Sequence, residues 1–203
     1  MSDWISKPTS GYGGLTESEQ ENNARIIWGN LSAAGFTLNS ICGMLGNMSQ
    51  ESGLNPQAWQ TLNNPKGGMG LVQWTPATKL IVWCNNRGIN YKDGNSQLSR
   101  ILYEFANGIQ YISTSDYPLS ASDFMSSTQS PEYLTRAFFA NYERGNPAKA
   151  NMDYRINRAN YYYTLFSGQE PPEPGPGPEP GKGKTLPFWM LYKMSRRFKW
   201  YLL

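Results

Sequence analysis

Residues 41–74 read ICGMLGNMSQESGLNPQAWQTLNNPKGGMGLVQW, and the way this stretch folds decides the architecture of the chain. At about 100° per residue, Leu38, Ile41, Cys42, Leu45 and Met48 fall on one face, which predicts an amphipathic helix from Thr37 to Ser52 that stops at Gly53. Glu51, the one carboxylate of the stretch, lands at the edge of that face beside Met44 and Met48. A carboxyl group so placed is half removed from water, which disfavours its charged form and raises its pKa towards the range useful to a general acid. Beyond it, Pro65, Gly67, Gly68 and Gly70 forbid a long helix, and the run Leu71, Val72, Gln73, Trp74 predicts a turn and a short strand, one arm of a hairpin. An acid at a helix end, then a glycine-rich turn and a strand bearing Gln and Trp, would make one wall of a sugar-binding cleft. The plainer reading stands beside it: a lone Glu at a helix end is ordinarily solvated, and a Trp at strand spacing is ordinarily core.

The flanking sequence fills in the rest of the chain. Residues 1–15, with Pro8, Gly11, Gly13 and Gly14, read as a flexible or docking arm. Thr16 and Glu19 stand in capping-box spacing and begin a helix through Ile26, Ile27 and Leu31 to Gly35. After the turn, Thr75 with Pro76 has the pattern of a cap followed by proline at the first helical position, and Gly88 supplies the stop. Asp93 and Gly94 lead into a helix bearing Leu98, Ile101, Leu102, Phe105, Ile109 and Ile112, weakened by Gly108. A short helix near 122–127 follows, and Ser130 with Pro131 starts another that carries Leu134, Ala137, Phe138 and Tyr142 to Gly145. A last helix covers 151–166. Six or seven helices with one small β element make an α+β domain, mainly α, over residues 16–168, with no internal repeat. QEPPEPGPGPEPGKG at 169–183 is a linker held extended by its prolines, and 184–203 is apolar, aromatic and basic together.

Composition removes several functions. The chain has no histidine, so zinc peptidases with His ligands, Cys-His amidases and Ser-His-Asp hydrolases are excluded by inventory, and no metal site is expected. Residues 1–169 carry 12 Lys and Arg against 12 Asp and Glu, so the net charge of +3 comes from the tail, 6 against 3, and a nucleic-acid partner has no electrostatic support. Cys42 and Cys84 lie on different predicted helices and read as two buried thiols. The start MSDWISKPTS lacks a basic segment followed by an apolar run, so no secretory signal is expected, and no apolar stretch is long enough to span a bilayer.

Motifs then narrow the reading. ESGLNP followed by GMGLVQW resembles the first two motifs of the lysozyme and lytic transglycosylase superfamily, a Glu-Ser pair and a Gly-x-x-Gln turn. ICGMLGNMSQESGLNP, GLVQWTPA and NYERGNP, in that order between Thr16 and Phe166, resemble the lysozyme domain of tail-tip lysins from short-tailed phages of Gram-positive hosts. The resemblance implies a lysozyme-like fold with the β element beside an active-site cleft, bacterial peptidoglycan as substrate, no cofactor, and Glu51 as the catalytic acid. It also implies a virion protein of the phage tail, made in the host cytoplasm and acting at the cell wall.

Cleavage of a β-1,4 glycosidic bond ordinarily needs a second carboxylate. No acid occurs between Glu51 and Asp93, and Glu143 within NYERGNP is the best remaining candidate. Its plainer role is an ion pair with Arg144 or Arg155. In lytic transglycosylases a single Glu serves as acid and then base while the sugar's own 6-hydroxyl attacks, so that mechanism stays open. Gln73 is expected to orient sugar or support Glu51, Ser52 to do either, and Trp59, Trp74 and Tyr142 to offer stacking platforms unless they are core. Two readings from other classes remain: a degenerate lysozyme fold that only binds glycan, and a membrane-active protein working through 184–203. That segment is expected to be dispensable for cleavage and to lie on a membrane surface or a partner tail protein.

Overall fold

The computed structural model describes residues 3–11 and 13–174. In chain order the elements are β1 (Thr9–Ser10), α1 (Glu17–Ala33), α2 (Leu38–Ser52), β2 (Ala58–Trp59), α3 (Thr78–Asn85), α4 (Gly94–Ala106), α5 (Ala121–Ser126), α6 (Pro131–Phe138) running into a π turn (Phe139–Glu143), a 3₁₀ turn (Pro147–Lys149) and α7 (Met152–Phe166). The arrangement is mainly α with a small β element, the α+β class expected from the sequence. Local chemistry starts most of the helices. Thr16 and Glu19 form the capping box expected of them, Ser120 and Asp123 form a second, and Ser130 caps α6 with Pro131 behind it.

Helix α2 is the centre of the molecule. It starts on Thr37 and ends on Gly53 in the left-handed conformation, but it is buried on nearly every side rather than along one stripe. Gly43 and Gly46 account for the difference. A Cβ on Gly43 would meet the Leu134 carbonyl carbon at 2.8 Å, and one on Gly46 would meet the Arg155 oxygen at 2.3 Å, so α6 and α7 lie against the bare backbone of α2. Substituting Gly46 by Ala tests this packing. Helix propensity alone favours Ala by about 1 kcal/mol, but overpacking costs about 1–3 kcal/mol and a backbone oxygen cannot swing aside. Gly46→Ala is therefore expected to lower the urea midpoint; an unchanged or raised midpoint would mean that α7 yields without cost.

Several expectations are corrected. Leu71–Trp74 is a turn and not a strand, because positive φ at Gly70 (85°) and Gln73 (49°) folds the chain back until Met69 and Trp74 bond to each other. The small sheet instead pairs β1 with β2 in parallel, Thr9 opposite Ala58 and Ser10 opposite Trp59. Thr75 does not cap α3; its hydroxyl donates to the Gln73 carbonyl and the helix begins at Thr78. Helix α4 stops at Ala106, where Gly108 has φ 60°, and this leaves Ile109 and Ile112 at 44% and 50% exposure instead of in the core.

The N-terminal arm is docked. Trp4 lies over Gly94 and donates to Asn95, Asn23 exchanges hydrogen bonds with the Ile5 backbone, and Asn55 does the same with Lys7. Both asparagines are fully buried, and each satisfies its amide on the arm. At the other end, Gln169 accepts from Arg25 and Pro172 lies against Gly29 of α1. The linker beyond residue 174 and the segment 184–203 lie outside the described residues.

The core is continuous and aromatic. Trp28 stacks on Phe166 at 4.5 Å, and Phe105 gathers Phe36, Tyr111, Phe124, Phe138 and Tyr142 around it. Cys42 and Cys84 are buried and unpaired, and burial pushes the Cys84 thiol up to about 12. Among the described residues no helix is long and apolar enough to cross a membrane.

Candidate active site

The last turn of α2, the turn at 67–75 and the π turn after α6 enclose a cleft of about 520 Å³ whose lining includes Glu51, Gln60, Gln73, Trp74, Tyr142 and Glu143. Five of the six residues singled out from the sequence therefore share one wall or floor. The sixth, Ser52, does not. It is fully buried, its Oγ lies 3.0 Å from the Met48 carbonyl and 3.1 Å from that of Leu71, and it ties the end of α2 to the turn. Trp59 is likewise buried, in β2, and takes no part in lining the cleft.

Glu51 projects from the last turn of α2 with 19% of its side chain exposed, and Arg155 of α7 donates to its Oε1 at 2.5 Å. The helical spacing placed this acid beside Met44 and Met48 and gave no sign of the ion pair. Arg155 is itself buried and fixed, donating to the Ala150 carbonyl at 2.6 Å and to Asn47 Oδ1 at 3.0 Å, with its guanidinium over the Phe139 ring. The plainer reading of Glu143 paired it with Arg144 or Arg155; Arg155 pairs with Glu51 instead.

Glu143 is part-exposed as a residue, yet its Oε1 is sealed from solvent and has no hydrogen-bond partner. Burial holds its carboxyl well above the usual carboxylate range, the charge of Glu51 adds to this, Arg155 opposes it, and Glu104 adds again. Of the acids lining the cleft, Glu143 is the one whose surroundings favour the protonated form. The charge of Glu51 acts on Glu143 across the cleft, so the two carboxyl groups do not titrate independently.

Gln73 donates to the carbonyls of Ala58 and Gly70 at 3.1 and 3.0 Å, so both amide protons are committed to the turn and only its carbonyl oxygen is open to a ligand. Trp74 and Tyr142 are 5% and 1% exposed; they form the cleft wall rather than open stacking platforms. Both are anchored from behind by Glu104, which accepts from the Trp74 indole at 3.2 Å and from the Tyr142 hydroxyl. Glu104 was not among the sequence candidates. A signal for it existed, since it is an acid three residues after Ile101 on the apolar face of α4, with Arg100 one turn before it.

The cleft brings together side chains suited to proton chemistry; among the described residues no group of three or more His, Cys, Asp or Glu side chains is placed to hold a metal ion. The model of the phage tail lysozyme family matches residues 22–166, which include every one of these side chains. The chain is also 41% identical over 157 residues to morphogenesis protein 1 of Bacillus phage B103. That alignment takes in 76% of this chain and 42% of the relative, so the chain spans less than half of that protein's length.

Proposed function

We propose, since this chain belongs to the phage tail lysozyme family, that it hydrolyses the β-1,4 bond between N-acetylmuramic acid and N-acetylglucosamine in bacterial peptidoglycan. The observation that carries this reading is the meeting of Glu51 and Glu143, from opposite ends of the domain, in one cleft, the first paired with Arg155 and the second without a partner. Glycoside hydrolysis needs one carboxyl group that gives a proton to the leaving oxygen and one that acts as base or nucleophile. A carboxyl group whose burial favours its protonated form, beside a second carboxyl group in the same cleft, supplies both. The place of action is the bacterial wall, reached as a component of the phage tail, with segment 184–203 placing the enzyme on a membrane surface or a tail protein.

The motif assigns proton donation to Glu51, with Glu143 as the second group. A second reading exchanges the roles, and the sealed, unpartnered oxygen of Glu143 favours it. Chemical rescue separates them. In a double-displacement mechanism, with an activated aryl glycoside as substrate, azide yields a glycosyl azide of inverted anomeric configuration from the variant that lacks the nucleophile and of retained configuration from the variant that lacks the acid. An inverted azide from Glu143→Ala with a retained one from Glu51→Ala gives the donor to Glu51; the opposite result exchanges them.

The products test the reaction type. Mass spectrometry of digested wall is expected to show muropeptides with reducing ends. Ends lighter by one water would be the anhydro products of transglycosylation, in which a single Glu suffices and Glu143 has no chemical task. A catalytically degenerate glycan binder, or an agent acting only through 184–203, would release no muropeptides from purified peptidoglycan.

A further inference from the structure

Behind the cleft wall lies a carboxylate for which glycoside cleavage, as laid out so far, has no use. Glu104 is 1% exposed on the inner face of α4, a position from which an ion is excluded unless its lone pairs are met. They are met here by Arg100 Nε at 2.7 Å, by Trp74 Nε1 and by the Tyr142 hydroxyl. Two of these three donors belong to residues that line the cleft. A wall of phenylalanines would pack as well without burying a charge, so the charge and the directed hydrogen bonds call for a reason beyond packing.

We propose that Glu104 is a positioning residue of the glycosidase: it fixes the aromatic wall through Trp74 and Tyr142 and places a carboxylate, ion-paired with Arg100, behind Glu143. The proposal rests on Glu51 and Glu143 being the reacting pair. A carboxylate only accepts hydrogen bonds, so both rings are held in the one orientation that points their donors inward. Tyr142 immediately precedes Glu143 on the π turn, so fixing its ring fixes the turn that presents the acid.

The charge acts on the proton. The groups that face Glu143 are Glu51 from α2, Arg155 from α7 and Glu104 from α4, with Tyr142 and Arg144 on its own turn and Lys79 of α3 in the same cleft. Glu51 and Glu104 oppose ionisation of Glu143, and Arg155 favours it. Arg100 offsets part of the charge of Glu104 through their ion pair. The two partners of this hidden pair therefore act on the acid with opposite signs.

Opposite signs make the test. On the full chain, kcat/KM for purified peptidoglycan is measured against pH for the wild type, Glu104→Gln, Arg100→Gln and the double variant, with thermal unfolding as the check on the fold. The alkaline limb reports loss of the proton shared by the carboxyl pair. Removing the negative charge makes that proton easier to lose, so Glu104→Gln is expected to move the limb down by roughly half a unit to one unit. Arg100→Gln leaves Glu104 uncompensated and is expected to move the limb up, and the double variant should fall between them. A merely structural role would reduce activity without moving the two limbs apart. Limbs that stay put, or move the same way in both variants, overturn the proposal. If Glu104→Gln does not fold, Arg100→Gln carries the test, an upward limb supporting the assignment and an unmoved or lowered one ending it. A fully active Glu143→Gln would instead overturn the pair reading on which the proposal stands, and the two failures are thereby told apart.

Discussion

Glu51→Gln is expected to keep the fold and lose nearly all cleavage of purified peptidoglycan. The amide has the shape of the carboxyl, and its oxygen can still accept from Arg155 Nη2, so the guanidinium keeps a partner in place of Glu51 Oε1. Arg155 also retains Ala150 and Asn47, which limits the cost of removing the opposite charge. What the amide cannot do is hand over a proton or accept one. Loss of general acid or base help alone is worth about 10²- to 10⁴-fold, and both readings of the carboxyl pair require Glu51. Turnover on labelled wall, with circular dichroism to show that the variant is folded, decides the matter; a folded Glu51→Gln that turns over near the wild-type rate removes Glu51 from the chemistry.

What could be read from the sequence, and what could not, divides along the range of the forces involved. Capping is local, and so Thr16 and Ser130 announce their helices within four residues. Glu51, Gln73, Trp74, Tyr142 and Glu143 could be placed in one cleft because three motifs in fixed order carry them. The run Leu71–Trp74 misled because strand spacing and a folded-back turn use the same apolar residues, and only the backbone conformation of Gly70 and Gln73 separates the two. The second face of α2 was hidden for a related reason. Glycines at 43 and 46 look like weak points of a helix until α6 and α7 are seen lying on them. Long-range polar partners were the least legible. Nothing near Asn23 or Asn55 says that each holds the N-terminal arm, and nothing near Arg155 says that it takes Glu51 rather than Glu143. Charges cannot be assigned partners from sequence when several are available, and in this cleft the partner decides the chemistry.

Glu143→Gln is expected to lose activity as severely as Glu51→Gln while gaining stability. The carboxyl of Glu143 is sealed at Oε1 with no donor to meet it, and burial together with Glu51 pushes its titration well above the ordinary value of about 4.5. A carboxyl group with a folded-state pKa above its unfolded value binds its proton more tightly in the native protein. Its contribution to stability is therefore complete below about 4.5 and is lost as the pH rises towards the native value, because the unfolded chain releases the proton first. Glutamine has no proton to release and can set its carbonyl oxygen where Oε1 sits, so the variant should lack this decline. Unfolding midpoints of the two proteins are expected to lie closest in acid and to separate as the pH rises, with the variant the more stable. Activity moves the other way: the same burial that costs stability favours a protonated carboxyl group in the cleft, and without that group the loss is about 10²- to 10⁴-fold. Parallel pH profiles of stability for wild type and variant would show that Glu143 is not held protonated by its surroundings. A stabilised variant that still cleaves the wall at the wild-type rate would show that the buried carboxyl serves some purpose other than the reaction, and the search for the second group would pass to another residue of the cleft.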